Sequence, residues 1–153
     1  MDKSCIFCNI VSGEVPAHKV WEDEAHMAFL SIFPNTPGAT VVIPKKHIPS
    51  YVFDADDAAI SALVLAAKRV AKKIDAAFDD VGRTGMIFEG FGVDHLHAKL
   101  FPMHGTADME KWKPIENKRT EFYQTYPGFL SSHDADRADD AELERIAKLV
   151  RSA

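Results

Sequence analysis

Two imidazoles and an ammonium recur at every second residue in His95-Leu96-His97-Ala98-Lys99. In an extended strand, side chains alternate between faces, so His95, His97, Lys99 and Phe101 share one face while Leu96, Ala98 and Leu100 share the other. Neighbours on one face lie ~6.6 Å apart at a rise of ~3.3 Å per residue. The apolar face is committed to a core. The other face lines up groups that can do chemistry together. A core histidine is usually single and satisfied by one hydrogen bond, and a pair in phase with a lysine fits that role poorly. An imidazole is neutral near pH 7 and nucleophilic, so it can attack phosphorus and hold a covalent phosphoramidate. A nearby cation then stabilises the non-bridging oxygens or the leaving phosphate. Gly85, Gly90, Gly92 and Gly105 flank the segment and let backbone amides approach a phosphate. Phosphoryl or nucleotidyl transfer is the reaction class these residues suit.

A second cluster of chemistry-bearing residues lies near the N-terminus. The chain has 2 cysteines, both in Cys5-Ile6-Phe7-Cys8. Such a pair in a cytosolic protein suggests metal or redox chemistry more than a structural disulfide. A thioredoxin-like pair sits between a strand and a helix, and no strand precedes this one. Metal ligation, inert thiols and redox chemistry all remain open at this point. His18 is a further candidate ligand.

The elements that must position these groups follow from pattern. Residues 5–12 form a short helix, stopped by Gly13 and Pro16. Residues 18–23 and 26–33 read as a hairpin around Glu22-Asp23-Glu24. Pro34-Asn35-Thr36-Pro37-Gly38 is a turn, and a third strand follows over 39–43. Ile60, Leu63, Val64, Ala67, Val70, Ala71, Ile74, Ala77 and Phe78 recur at helical spacing and predict a helix over 55–79. Asp54 is the expected N-cap, and Gly82 lies just past the end. Two more strands are expected, at 84–89 and 94–101. The sum is an α+β pattern, a five-stranded antiparallel sheet with one long helix. Residues 106–135 carry Trp112, Phe122, Tyr123, Tyr126 and Phe129 without periodicity and read as an ordered loop that packs its aromatics. A last helix spans 139–151, with Leu143, Ile146, Ala147 and Val150 on one face. Residues 1–105 are thus a core domain, and 106–153 a helical C-terminal extension packed on it.

Charge and hydropathy narrow the partners. The net charge of -5 disfavours a non-specific grip on extended nucleic acid, though a local pocket can still take a small anion. No apolar run reaches the ~18 residues of a membrane span. Met1-Asp2-Lys3-Ser4-Cys5 lacks the apolar stretch of a signal peptide, so a cytoplasmic protein is expected.

Three segments together resemble the histidine triad (HIT) family. The family motif is His-φ-His-φ-His-φ-φ, with φ apolar, and here the segment reads His95-Leu96-His97-Ala98-Lys99-Leu100-Phe101. Pro34-Asn35-Thr36-Pro37-Gly38-Ala39-Thr40-Val41-Val42-Ile43-Pro44-Lys45-Lys46-His47 is similar to its second signature. Cys5-Ile6-Phe7-Cys8-Asn9-Ile10-Val11 with Gly13-Glu14-Val15-Pro16-Ala17 is similar to bacterial members. The resemblance covers residues 4–105 in order.

The resemblance implies a HIT-like fold, with His97 as the nucleophile that carries a nucleotidyl adduct. It implies a structural zinc ion held by Cys5, Cys8, His47 and His95; His18 matches no family ligand position. Lys99 stands where the family's third histidine usually sits, and as a catalytic group it can donate to an anion as a point charge. Substrate contacts are expected at Ser31 (in place of an acid that holds the ribose), Asn35, Phe91, Gly92 and His104. Phe88 stands where an asparagine is usual and is expected to pack. The implied activity is nucleotide hydrolysis at a phosphoanhydride or phosphoramidate. Nucleotidyl transfer or phosphorolysis, and nucleotide binding with little catalysis, are the alternatives. Family members usually pair as homodimers through the long helix and the fourth strand.

Overall fold

The computed structural model describes residues 4–108, 117–133 and 135–152. Its chain forms two compact units, Met1–Trp112 and Lys113–Ala153. The first unit opens with helix α1, Ile6–Ser12, closed by Gly13 in the left-handed region at φ 81°. The Gly13 N–H donates to the Ile10 carbonyl at 3.1 Å, a C-terminal cap that a side chain at this φ would strain. Strands β1 (Lys19–Glu22) and β2 (His26–Leu30) make the expected hairpin, and β3 (Thr40–Pro44) follows. Helix α2, Asp57–Ala77, crosses to β4 (Val81–Ile87), and β5 (Ala98–His104) returns between β3 and β4. The sheet order is β1-β2-β3-β5-β4, with all pairs antiparallel. This is the α+β, five-stranded antiparallel fold expected from the sequence.

The two faces of the sheet do different work. Ala28, Val42, Ala98 and Leu100 point to α2 and pack, with Leu96, against Leu63, Ala66, Ala67, Val70 and Ile74. Burying each of the leucines contributes roughly 1.5–3 kcal/mol relative to exposure. Met27, Phe29, Val41 and Ile43 point to the opposite face and pack under Phe7, Ile10 and Val11 of α1. The histidines and lysine belong to this α1 face.

Several expected boundaries move. Strand β5 begins at Ala98, so His95 and His97 lie just before it rather than within it. Their backbone is held by other bonds: the Leu96 N–H donates to the Ile48 carbonyl at 2.7 Å and the His95 N–H to the Val93 carbonyl at 2.9 Å. The N-cap of α2 is Asp56, because Val52–Asp54 forms a separate 3-10 turn that takes up Asp54. The helix ends at Ala77 with Phe78 as its C-cap, and Gly82 lies inside β4. A Cβ on Gly82 would come within 2.2 Å of the Thr106 carbonyl oxygen, so close backbone approach accounts for that glycine.

The second unit contains α3, Asp140–Arg151. Leu143, Ile146 and Val150 are exposed on it, and the side chain of Ala147 lies outside the described residues. Phe122 is exposed, while Tyr123 makes edge contacts with Phe129 and His133. Trp112 lies outside the described residues. No helix among the described residues is long and apolar enough to cross a membrane.

His104, at the end of β5, pins the far edge of the first unit. Its Nδ1 lies 3.0 and 3.1 Å from the two Asp80 carboxylate oxygens, and its Nε2 lies 3.0 Å from the Pro37 carbonyl oxygen. Both ring nitrogens face acceptors, so the doubly protonated ring satisfies them best. The Pro37 carbonyl first, then the Asp80 carboxylate, hold its pKa above the usual 6.5. The His104 hydrogen bond likewise holds Asp80 below its usual range. Stability from His104 is therefore fully present below its unfolded pKa and is lost as pH rises through the raised folded value. That from Asp80 is present above its unfolded pKa and is lost as pH falls through its lowered folded value. We expect a proton-NMR titration of His104 to show a midpoint above 6.5, falling back toward it in Asp80→Asn. An unshifted midpoint in the parent protein contradicts this account.

Candidate active site and metal centre

The N-terminal segment, the residues after β3 and the approach to β5 converge on one point. Cys5, Cys8, His47 and His95 place one ligand atom each within 4.8 Å of one another. Cys5 Sγ lies 3.4 Å from His95 Nδ1, Cys8 Sγ 3.7 Å from the same nitrogen, and Cys8 Sγ 3.5 Å from His47 Nδ1. Ligands bound at ~2.0–2.3 Å around a tetrahedral ion are separated by roughly 3.3–3.8 Å, so these spacings fit one. The tautomer fits as well. His95 Nε2–H donates to the Pro44 carbonyl at 2.8 Å, which leaves the Nδ1 lone pair facing the thiols. Burial holds the His95 pKa below its usual value and so favours the neutral ligand form. Both cysteines are buried, and neither is in a disulfide. The four residues can hold a metal ion, and they are the four that the family resemblance implied.

His97 lies two residues beyond the cluster, and only 3% of it is exposed. Its Nδ1–H donates to the His95 carbonyl at 2.6 Å. The carbonyl can only accept, so this bond assigns the proton to Nδ1 and leaves the lone pair on Nε2. Burial, and secondarily the Lys99 ammonium, hold its pKa below the usual 6.5, with the His95 carbonyl working against them. The ring is thus neutral and nucleophilic at neutral pH. The ring of Phe7 meets it edge-on, with centroids 5.5 Å apart.

Lys99 sits on β5 between Val41 of β3 and Ile87 of β4. Its ammonium is paired with the Glu89 carboxylate, which the sequence reading did not single out. Glu89 lies two residues past Ile87 and so shares its face. The signal was there only for a reader who knew that Ile87 pairs with Lys99. Phe7 was missed as well, and so was Ser50. The Ser50 N–H donates to Asp94 at 2.8 Å and its hydroxyl to the Gly90 carbonyl at 2.9 Å, tying the residues after β3 to the glycine turn.

The remaining candidates divide. Ser31 pairs with Ala39 through its backbone N–H at 2.9 Å, and it follows Phe29 on the α1 face. Two strand spacings, ~10 Å, separate its row from Lys99 and Phe101 on β5. Asn35 is exposed in the turn that follows. Phe91 is exposed, and Gly92 takes a φ of 90° in the turn before His95. Phe88 packs against the α2-side core, as expected. His104 is not brought to His97. Seven residues of extended chain, ~23 Å, lie between them, and both of its ring nitrogens face Asp80 and Pro37.

Comparison with known proteins agrees with this geometry. The HIT domain model matches residues 12–106. Protein hit of Bacillus subtilis is 36% identical over 110 residues, 69% of this chain and 75% of that protein. Adenosine 5'-monophosphoramidase hnt1 of Schizosaccharomyces pombe is 37% identical over 100 residues, 65% of this chain and 74% of its own. A Zn-bound histidine triad family protein from Mycobacterium smegmatis superimposes with a TM-score of 0.63 at 26% identity, over 74% of this chain and 84% of that one. With its sheet order, its buried histidine pair and these relatives all in accord, the chain belongs to the HIT family.

Proposed function

We propose that the protein is a nucleotide hydrolase, acting on a phosphoanhydride or phosphoramidate through a nucleotidyl adduct on His97. The observation that carries this reading is the buried, neutral His97 ring, with its proton fixed on Nδ1 by the His95 carbonyl. In the first step, the Nε2 lone pair forms a bond to the α-phosphorus. The bond to the leaving group breaks, and its electrons depart with that group, which takes a proton from solvent. The imidazole ring becomes cationic, and its Nδ1–H bond to the carbonyl strengthens. Water then attacks phosphorus and gives up a proton to solvent, the P–N bond breaks, its electrons return to Nε2, and a nucleoside monophosphate leaves. Lys99 lies on the same face to offset non-bridging oxygen charge. Ser31, Asn35, Phe91 and Gly92 line the path for the nucleoside and phosphates.

Zinc is the ion that two thiolates and two imidazoles suit, held by Cys5, Cys8, His47 and His95 in a structural role. The cytoplasm is the proposed compartment, since it keeps both thiols reduced. The proposed homodimer fits β4, an edge strand with Met86 exposed, and Leu65 exposed on α2. Light scattering on the eluting protein is expected to give twice the chain mass; a single chain mass removes the dimer.

Intact-mass measurement after rapid quench tests the hydrolase. A mass gain equal to a nucleotidyl group is expected with at least one member of a broad nucleotide panel. No adduct across the panel sinks the reading.

The Glu89–Lys99 pair favours a second reading. A paired ammonium grips a departing phosphate less than a free cation does, which suits transfer to another acceptor. Phosphate or a sugar phosphate should then outcompete water for the adduct; if only the hydrolysis product ever forms, transfer is excluded. Glu89→Gln removes the competing carboxylate and frees Lys99 for the ligand. We expect nucleoside monophosphate to bind roughly 3–10-fold more tightly, about 1 kcal/mol, with the gain shrinking at high salt. Calorimetry at two salt concentrations checks it, and unchanged or weaker binding contradicts the role given to the pair.

A further inference from the structure

Phe7 lies between the two cysteines of the metal cluster and touches the imidazole that the cluster does not include. Its ring centroid is 5.8 Å from that of His95, 5.5 Å from that of His97 and 5.5 Å from that of Phe29, each edge-on. Helix α1 has 7 residues, too few to hold its own shape in water. Cys5 occupies its N-cap position, but no side-chain hydrogen bond caps the helix there. The Cys5 thiol faces His95 instead. The helix is therefore held from outside, by the cysteine cluster at its start and by Phe7, Ile10 and Val11 on the sheet. We propose that Phe7 is a positioning residue, coupling the Cys5–Cys8 clip to the orientation of the His97 imidazole.

The physical reason is that one hydrogen bond does not fix a ring. The Nδ1–H bond to the His95 carbonyl anchors one atom of the ring, and its orientation about that anchor is set by what packs on its flank, where Phe7 lies. Phe7 meets it at an interplanar angle of 82°. An edge-to-face contact of this kind biases a rotamer equilibrium by roughly twofold to tenfold. Filling the cluster with metal fixes Cys5 and Cys8, hence the first turn of α1, hence Phe7. The metal then governs the reactive ring without touching substrate. The rate consequence rests on His97 being the nucleophile; the orientation of the ring does not.

Phe7→Leu tests the coupling in the full chain, with Phe7→Met as a second ring-free variant of similar bulk. Three quantities are read on each: zinc per chain, the nitrogen-15 imidazole shifts of His97, and single-turnover adduct formation beside nucleotide affinity. Both variants are expected to keep the metal and bind nucleotide within about twofold of the parent. Adduct formation should slow roughly twofold to tenfold, the bias the lost contact supplied, because a misplaced nucleophile loses rate rather than affinity. The parent should show His97 protonated on Nδ1. The variants should show a mixture of tautomers or conformers there, while His104 at the far end of β5 stays unchanged. Metal-replete variants with an undisturbed His97 spectrum overturn the proposal, whether or not any adduct is ever found. Loss of metal or of fold in both variants also overturns it, because Phe7 would then serve the metal centre and not the imidazole. An absent adduct in the parent, with a disturbed His97 spectrum in the variants, would instead remove the nucleophile reading and leave the coupling standing.

Discussion

His97→Ala is expected to eliminate the covalent adduct and lower turnover by roughly a thousandfold or more, about 4 kcal/mol of barrier. Among the described residues, no nearby group takes over the attack. Lys99 is engaged with Glu89, and the His95 Nδ1 lone pair faces the two thiols. The loss should fall on kcat, since the imidazole contributes most when the P–N bond forms. Nucleotide affinity should change by less than about tenfold. The ring is buried against Phe7, so the thermal midpoint belongs in the same experiment: a folded variant with lost turnover places the effect on chemistry. Turnover within tenfold of the parent would remove His97 from its role.

Cys8→Ser is expected to cost metal binding and several kcal/mol of stability. Cys8 is 1% exposed and its thiol approaches both His47 and His95, and among the described residues the cluster holds only Cys5, His47 and His95 besides it. Binding free energy for a structural metal becomes folding free energy. This unit has its own two-sided core, so the loss should be well short of unfolding. We expect about 3–5 kcal/mol, a fall in the melting midpoint of roughly 10–15 °C. Chelator should lower the parent by a similar amount and the variant by very little. That closure separates metal loss from mispacking of the serine. A parent protein that melts identically with and without chelator would show that the cluster is not a structural metal centre.

Much of the fold was legible in the chain because local pattern and long-range packing agree there. The 3.6-residue period of Leu63, Val70 and Ile74 gave α2, and the turn residues at 34–38 separated β2 from β3. The helix start was not legible because Asp54, Asp56 and Asp57 offer equivalent caps, and only the 3-10 turn at Val52–Asp54 selects Asp56. The grouping of Cys5, Cys8, His47 and His95 into a cluster that could hold a metal was legible through family resemblance alone, since the four are spread over 90 residues between Cys5 and His95.

The sequence by itself determined the chemistry on offer. It supplied two thiols, a histidine pair in phase, a lysine beside them and one apolar face to bury. The tertiary structure decided how that chemistry is shared out. The residues before β5 carry His95 toward the thiols and turn the His97 Nδ1 to the His95 carbonyl, although alternation alone had made the two equivalent. The pairing of β4 with β5 set Glu89 against Lys99, turning a free cation into half of an ion pair. The return of α1 across the sheet set Phe7 against His97. Each of these depends on strand register or on a contact across the fold, which side-chain period within one segment does not encode.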